Sequence, residues 1–180
     1  VIGVPLGIIA SYNKWYRDIQ NVVLDAMQTL PYFCYLIPVL MFFGGNIVSA
    51  VIATVIYAVP PIIRLTALGL SQVSGSYSEV SRSFGGTGIQ TLNKVKFPLA
   101  VPSLVMGFNQ TVIMAFAMQI VTPLIGGKGL GLQVFNALQR SDTGRGLSAG
   151  LAIVLLAIII DRISHAWTKK QRIALGLDKS

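Results

Sequence analysis

EVSRSFGGTGIQTLNKVKFP, residues 79–98, is a short polar stretch set between two long apolar ones, and its surroundings decide the fold. Residues 26–63 carry no Asp, Glu, Lys or Arg; neither do residues 97–127, nor 146–160. A bilayer core about 30 Å thick takes roughly 20 apolar residues per helical crossing. The first run therefore holds two crossings and the second one long crossing. Composition agrees, since 53% of the 180 residues are hydrophobic and only 11% are charged, whereas soluble domains carry about 25% charged residues. The fold class these runs predict is an all-α polytopic membrane protein.

Taken in order, the pattern predicts a partial helix over 1–11 and crossings over 19–43, 47–70, 99–125 and 147–166. That makes five, the first incomplete, with Gly44-Gly45-Asn46 as the hairpin between the second and third. The chain opens mid-pattern on Val1, as if cropped at its N-terminus, and reads as one transmembrane domain over 1–180. Loops are expected over 71–98 and 126–146, and a tail over 167–180. Lys and Arg set the orientation, because positive loops stay in the cytoplasm. Lys14, Arg17, Arg82, Lys94, Lys96, Arg162, Lys169, Lys170, Arg172 and Lys179 fall on one side, and only Lys128, Arg140 and Arg145 on the other. Arg64, near the inner end of the third crossing, can snorkel or pair inside a bundle. The 71–98 loop and the tail are thus expected in the cytoplasm and the 126–146 loop outside. Pro31, Pro38, Pro60, Pro61 and Pro123 each remove a backbone donor and bend or break a helix. The spacings Gly3/Gly7 and Gly146/Gly150 allow close helix approach.

Several function classes drop out. The net charge of +8 comes in short basic groups beside apolar runs, which suits an anionic membrane surface better than nucleic acid. Cys34 is the one cysteine, so there is no disulfide framework and no cluster of metal-ligand spacing. His165 stands beside the basic tail as an interfacial residue, and the six carboxylates are scattered from Asp18 to Asp178. No catalytic set can be assembled, so the chain reads as no enzyme, with no metal or cofactor of its own. The cluster Gly126-Gly127-Lys128-Gly129-Leu130-Gly131 lacks the Ser or Thr after its Lys and the preceding strand that a phosphate loop needs. Charged relay residues are missing from the middle of the crossings, against an ion-coupled carrier.

Within the polar stretch, residues 76–84 suit a short amphipathic helix with Tyr77, Val80 and Phe84 on one face and Glu79 and Arg82 spaced to pair. Gly85-Gly86 then ends it, a second polar helix follows over 89–96, and Pro98 marks the boundary before the next crossing. The product is a helix-turn-helix elbow. At these residues the chain resembles the signature of ATP-binding-cassette (ABC) importer permeases, Glu-Ala-Ala, three residues, Gly, nine residues, Ile-x-Leu-Pro. Here it runs Glu79-Val80-Ser81, three residues, Gly85, nine residues, Val95-Lys96-Phe97-Pro98. The spacing is kept; Val80 and Ser81 replace the alanines, Val95 the Ile and Phe97 the Leu. LDAMQTLP (24–31), VIATVIYAVPPIIRLT (51–66) and ALQRSDTGRGLSAGLAIVLLAIIIDR (137–162) look like one branch, the glycine betaine/proline permeases.

The resemblance implies the transmembrane domain of an ABC importer, about five helices with a cytoplasmic coupling helix, in a prokaryotic inner or plasma membrane. It implies pairing with a second permease subunit, expected to be a copy of the same chain. Two cytoplasmic ATPase subunits would hold ATP and Mg, and an external binding protein or a fused binding domain would supply solute. Glu79, Val80, Ser81, Arg82, Gly85 and Pro98 would form the ATPase-coupling elbow. Gln28, Tyr32, Asn109, Gln110, Met118 and Gln119, polar or polarizable groups in apolar helices, are the candidates to line a path for a zwitterionic solute. Helix-to-helix hydrogen bonding accounts for each of them equally well. The 126–145 segment is the candidate surface for the binding protein. The alternatives are an ABC permease for another solute such as an amino acid, or a channel or helical scaffold, neither of which calls for the elbow at this spacing.

Overall fold

Proline and glycine punctuate the helices of this chain, and the computed structural model shows how. It describes residues 2–174, so Lys179 and the end of the expected 167–180 tail lie outside the described residues, as does the side chain of Arg172. The helices are α1 (Gly3–Tyr12), α2 (Lys14–Thr29), α3 (Phe33–Phe43), α4 (Ile47–Ala58), α5 (Pro60–Ser71), α6 (Gly75–Ser83), α7 (Gly88–Thr91), α8 (Phe97–Gln119), α9 (Leu130–Gln139) and α10 (Thr143–Ala174). A π-helical turn at Leu92–Lys96 joins α7 to α8, and a 3-10 turn at Thr122–Ile125 follows α8. No strand occurs among the described residues.

Three helical runs are long and apolar enough to cross a membrane: Ile47–Ser71, Gly88–Gln119 and Thr143–Trp167. The α2 and α3 pair makes a fourth if it counts as one span, and α1 is a shorter apolar helix. The crossings expected from 47 and 147 thus stand, but two others differ.

The crossing expected over 19–43 begins at Lys14 and is bent by 96° between α2 and α3. Pro31 explains the break: it offers no N–H to the carbonyl of Met27, and it disfavours helical backbone at Leu30. The hydroxyl of Tyr35 donates to that Met27 carbonyl instead, so the bend is sealed by a side chain.

The crossing expected to start at 99 after a boundary at Pro98 is instead the end of one 32-residue helical run, Gly88–Gln119. In an α-helix the ring of Pro98 would strike the carbonyl of Lys94. The backbone widens just before it, and the N–H of Phe97 reaches back five residues to the carbonyl of Leu92. Pro98 is accommodated by this π turn rather than ending the helix.

The chain packs as two units, one formed by Val1–Leu24, Pro61–Asn109 and Ile163–Ser180, the other by Asp25–Pro60 and Gln110–Arg162. In the first, small residues let helix axes approach. A Cβ added at Gly7 of α1 would stand 2.5 Å from Thr66 Cβ, one at Gly69 of α5 2.6 Å from Ser103 Cβ, and one at Gly107 of α8 3.1 Å from Ile62 and Leu65. The expected role of Gly7 is met, and α5 lies antiparallel against α8. Ile63, Ala67, Leu70, Ala100, Val101 and Val105 fill the interior.

The second unit is built on the α3–α4 hairpin. Gly44 turns it with φ of 72°, and the Asn46 side chain caps α4 by accepting from the N–H of Ser49 at 3.0 Å. Tyr35, Leu36, Val39, Ala50, Ala53, Met118 and Ile125 form its core. The 3-10 turn after α8 is closed by Gly126, whose φ is 93° and which lies against the hairpin: a Cβ there would lie 2.7 Å from the backbone nitrogen of Asn46. Gly146 packs 3.4 Å from Ala137, measured from an added Cβ, whereas Gly150 faces nothing within 4 Å, so only the first of that expected pair is used within the described residues.

Candidate functional site

The elbow lies wholly in the first unit, and its construction starts at Ser74, whose hydroxyl accepts from the N–H of Ser76 to cap α6. At the other end, the N–H of Gly85 donates to the carbonyl of Arg82 at 2.8 Å and that of Gly86 to the carbonyl of Ser81 at 2.9 Å. Gly85 has φ of 77°. This pair of bonds around a left-handed residue is the Schellman closure, which needs glycine at its turning point. The expected stop at Gly85-Gly86 is therefore present, with a separate task for each residue. Gly86 has no room for a side chain, since a Cβ would meet Ser81 Oγ at 2.6 Å.

The second arm opens on a reciprocal cap. The hydroxyl of Thr87 accepts from the N–H of Gln90, and the Gln90 side chain accepts from the N–H of Thr87 at 2.9 Å. The arms are then tied together by Ser81 and Thr91, whose hydroxyls lie 2.8 Å apart. Thr91 is buried, and its hydroxyl also reaches the carbonyl of Thr87. Ser81 is thus the post on which the elbow closes. Thr87, Gln90 and Thr91 were not singled out from the sequence, although Thr-x-x-Gln ahead of a helix is a legible capping signature.

The outward face is apolar and bare. Tyr77 is 52% exposed, Val80 55% and Phe84 90%. They line a groove of about 410 Å³ together with Ser81, Gln90 and Lys94. The shared face expected for the three apolar residues is what the structure has. The expected pairing of Glu79 with Arg82 is not formed: both side chains point to solvent, and among the described residues they make no ion pair. An exposed pair three apart gains little, about 0.2–0.5 kcal/mol, against its lost side-chain freedom. Pro98 sits at the entrance of α8, half-buried, immediately beyond the π turn. Lys96 lies over the ring of Tyr12 at 5.3 Å, which ties that turn to α1.

The six path candidates occupy different settings. Gln28 and Tyr32 flank the bend between α2 and α3, both exposed, with the Tyr32 ring 4.6 Å from that of Phe33. Gln110 is exposed on α8. Met118 is 1% exposed inside the apolar core of the second unit, where it packs rather than faces a path. Asn109 is buried in the first unit. Gln119 alone of the six lines the groove of the second unit that also holds Phe116 and Lys128. The glycine cluster forms the link between the 3-10 turn and α9, with φ of 97° at Gly129.

The family of binding-protein-dependent transport system inner membrane components matches residues 3–173. Among curated proteins, the glycine betaine/carnitine transport permease protein GbuB of Listeria monocytogenes is 46% identical over 96% of this chain and 61% of its own length. The glycine betaine transport system permease protein OpuAB of Bacillus subtilis is 44% identical over 92% of this chain and 58% of its own. For the glycine betaine/proline betaine permease protein ProW of Escherichia coli the figures are 45%, 96% and 49%. The chain thus spans about half to three fifths of the length of these relatives. A solved structure of the MetNI methionine ABC transporter, in an inward-facing conformation, superposes with a TM-score of 0.81 at 20% identity, covering 94% of this chain and 86% of that one. That likeness speaks for the fold, and the near-complete sequence match for the lineage: the chain belongs to the family of binding-protein-dependent transport system inner membrane components.

Proposed function

We propose that this chain is the membrane-spanning permease part of an ATP-driven importer for glycine betaine and related zwitterionic quaternary-ammonium solutes, in a prokaryotic plasma membrane. The observation that carries the reading is the elbow: an exposed apolar face of Tyr77, Val80 and Phe84, closed by Ser81, Gly85 and Gly86, continuous with a span. Because Gly88–Gln119 is one helical run, a displacement of the elbow is delivered straight into a crossing helix. The excess of Lys and Arg supports a cytoplasmic elbow, which would seat in a cleft of an ATPase subunit that holds ATP and Mg. Glu79 and Arg82, free of each other, are then available to polar groups of that partner. Two such permease chains, expected to be copies, would work with two ATPase subunits, and an external binding protein or fused binding domain would deliver solute to the 126–145 side.

A solute without net charge suits crossings with few charged residues, and the similarity to glycine betaine permeases supports that class. The groups proposed to meet it along the path are Gln28, Tyr32, Gln110 and Gln119, with the buried Asn109 and Met118 shaping the helices behind. The test is uptake of labelled glycine betaine by proteoliposomes holding the complete complex with its ATPase and binding protein. ATP-dependent accumulation supports the reading. Accumulation of an amino acid but no betaine would replace the solute, and the absence of any associating ATPase would sink the whole assignment.

A further inference from the structure

The second unit carries a groove of about 430 Å³, within the roughly 300–1,000 Å³ of small-ligand sites. α4, the C-terminal half of α8, the 3-10 turn and glycine loop after it, and Ile160 of α10 line it, and its walls are largely apolar. Lys128 is the one charged residue among its lining, and no carboxylate lines it. Gln119 lines the same groove, and its Nε2 lies 3.6 Å from where a Cβ on Gly129, the residue after Lys128, would be, so the amide is tucked under the loop. Phe116 is one turn deeper on the same face of α8, and Val112 one turn deeper again, about 10 Å from Gln119 at 1.5 Å per residue. Thr54, across the groove, already spends its proton on the carbonyl of Ala50 at 2.8 Å.

We infer that this groove is a transit site for a zwitterion whose cationic end is fully N-methylated, with its carboxylate accepting from Lys128 Nζ and Gln119 Nε2 and its ammonium against the ring of Phe116. The inference rests on the function proposed above and assigns that function a site. The groove's charge fixes the direction of the ligand. Lys128 attracts the carboxylate and repels the ammonium, so the cation lies deeper, where Phe116 supplies an aromatic ring. A single methylene separates the two charges of glycine betaine, in keeping with anchors one turn apart. Val112, Ala115 and Phe116 offer no side-chain acceptor, and the oxygen of Thr54 is the one acceptor that faces them across the groove. A primary ammonium would exchange the water on three N–H groups for at most that one side-chain acceptor, which costs more than burying a trimethylammonium group that has no N–H to satisfy. The groove therefore selects betaine over glycine by how few acceptors it offers.

The experiment uses the complete full-length complex in proteoliposomes, with Val112→Cys on a Cys34→Ser background. The thiol reagent is ethyltrimethylammonium methanethiosulfonate, and uptake is followed in parallel. Val112→Cys reacts, glycine betaine slows the reaction, and glycine does not. The half-protecting betaine concentration rises about tenfold in Lys128→Gln, the size of one lost charge-assisted bond, and by a similar factor in Phe116→Leu. Protection by choline, which has no carboxylate, weakens only in Phe116→Leu. A Val112→Cys thiol that stays unreactive shows a lipid-filled groove and overturns the site, as does protection indifferent to both substitutions. If either occurs while betaine uptake proceeds, the transport reading stands and this site alone falls; if no betaine is taken up, both fall.

Discussion

Gly85 and Gly126 turn the backbone through the same left-handed region, with φ of 77° and 93°, yet they stand in unlike surroundings. A Cβ at Gly85 meets nothing within 4 Å, whereas one at Gly126 meets the hairpin backbone at Asn46 at 2.7 Å. Gly85→Ala is therefore expected to cost only the strain of a left-handed L-residue, about 1–2 kcal/mol. Gly126→Ala must also push the hairpin aside and should lower the melting temperature of the detergent-solubilised permease clearly further. Equal shifts would mean that the loop yields and that the close approach at Asn46 is not a constraint. Tyr35 offers a second test at this scale. Its hydroxyl satisfies the carbonyl that Pro31 leaves open, so Tyr35→Phe strands the oxygen of Met27 at about 1–3 kcal/mol. A melting temperature unchanged in Tyr35→Phe would show that water or another donor takes over at the bend.

Among the elements, the elbow's arms are held by few interactions, and each can be removed locally. Thr87→Ala takes away the reciprocal cap of the second arm, at about 1 kcal/mol. Hydrogen exchange of amides 88–92 should then quicken by about fivefold, while α4 and α5 keep their protection; uniform quickening across the chain would contradict a local role. How far the sequence disclosed these elements depends on the range of the forces involved. The end of α6 at Gly85-Gly86 and the hairpin at Gly44-Gly45-Asn46 are local matters of backbone freedom, and the residues announce them. The apolar face of Tyr77, Val80 and Phe84 follows from spacing alone. Pro98 misleads, because whether a proline stops a helix or is absorbed by a π turn depends on what the chain on both sides gains by continuing. The Ser81–Thr91 tie joins residues ten apart across a turn, and the Tyr35–Met27 bond spans a break. Neither partner choice can be read before the turn has a geometry. Glu79 and Arg82 show the opposite error, since favourable spacing produced no bond where solvent competes on equal terms.

For the whole molecule, the proposed orientation rests on the distribution of Lys and Arg, and it can be checked without transport. With Cys34 replaced by Ser, Phe84→Cys at the tip of the elbow should react with a membrane-impermeant maleimide only in inside-out vesicles, and Lys128→Cys only in right-side-out ones. Reversal of both would invert the topology and remove the elbow from the reach of any ATPase. Path residues were the least legible part of the sequence, because polarity within an apolar helix does not say which way a side chain faces. Of the six candidates, Met118 packs in a core and Gln119 faces a groove, though they are neighbours in sequence. Exposed apolar surface is extensive on α10, where only 11% of the spanning window is buried within the described chain. Such a helix needs lipid or protein around it.

The most direct measurement is ATPase activity of the complete complex in lipid nanodiscs with its binding protein, with and without glycine betaine, for the unmodified permease and for Glu79→Ala/Gly85→Asp. The account predicts betaine-stimulated hydrolysis that the double substitution abolishes while the permease stays inserted and folded. Stimulation that survives the substitution intact would contradict the elbow's part in coupling.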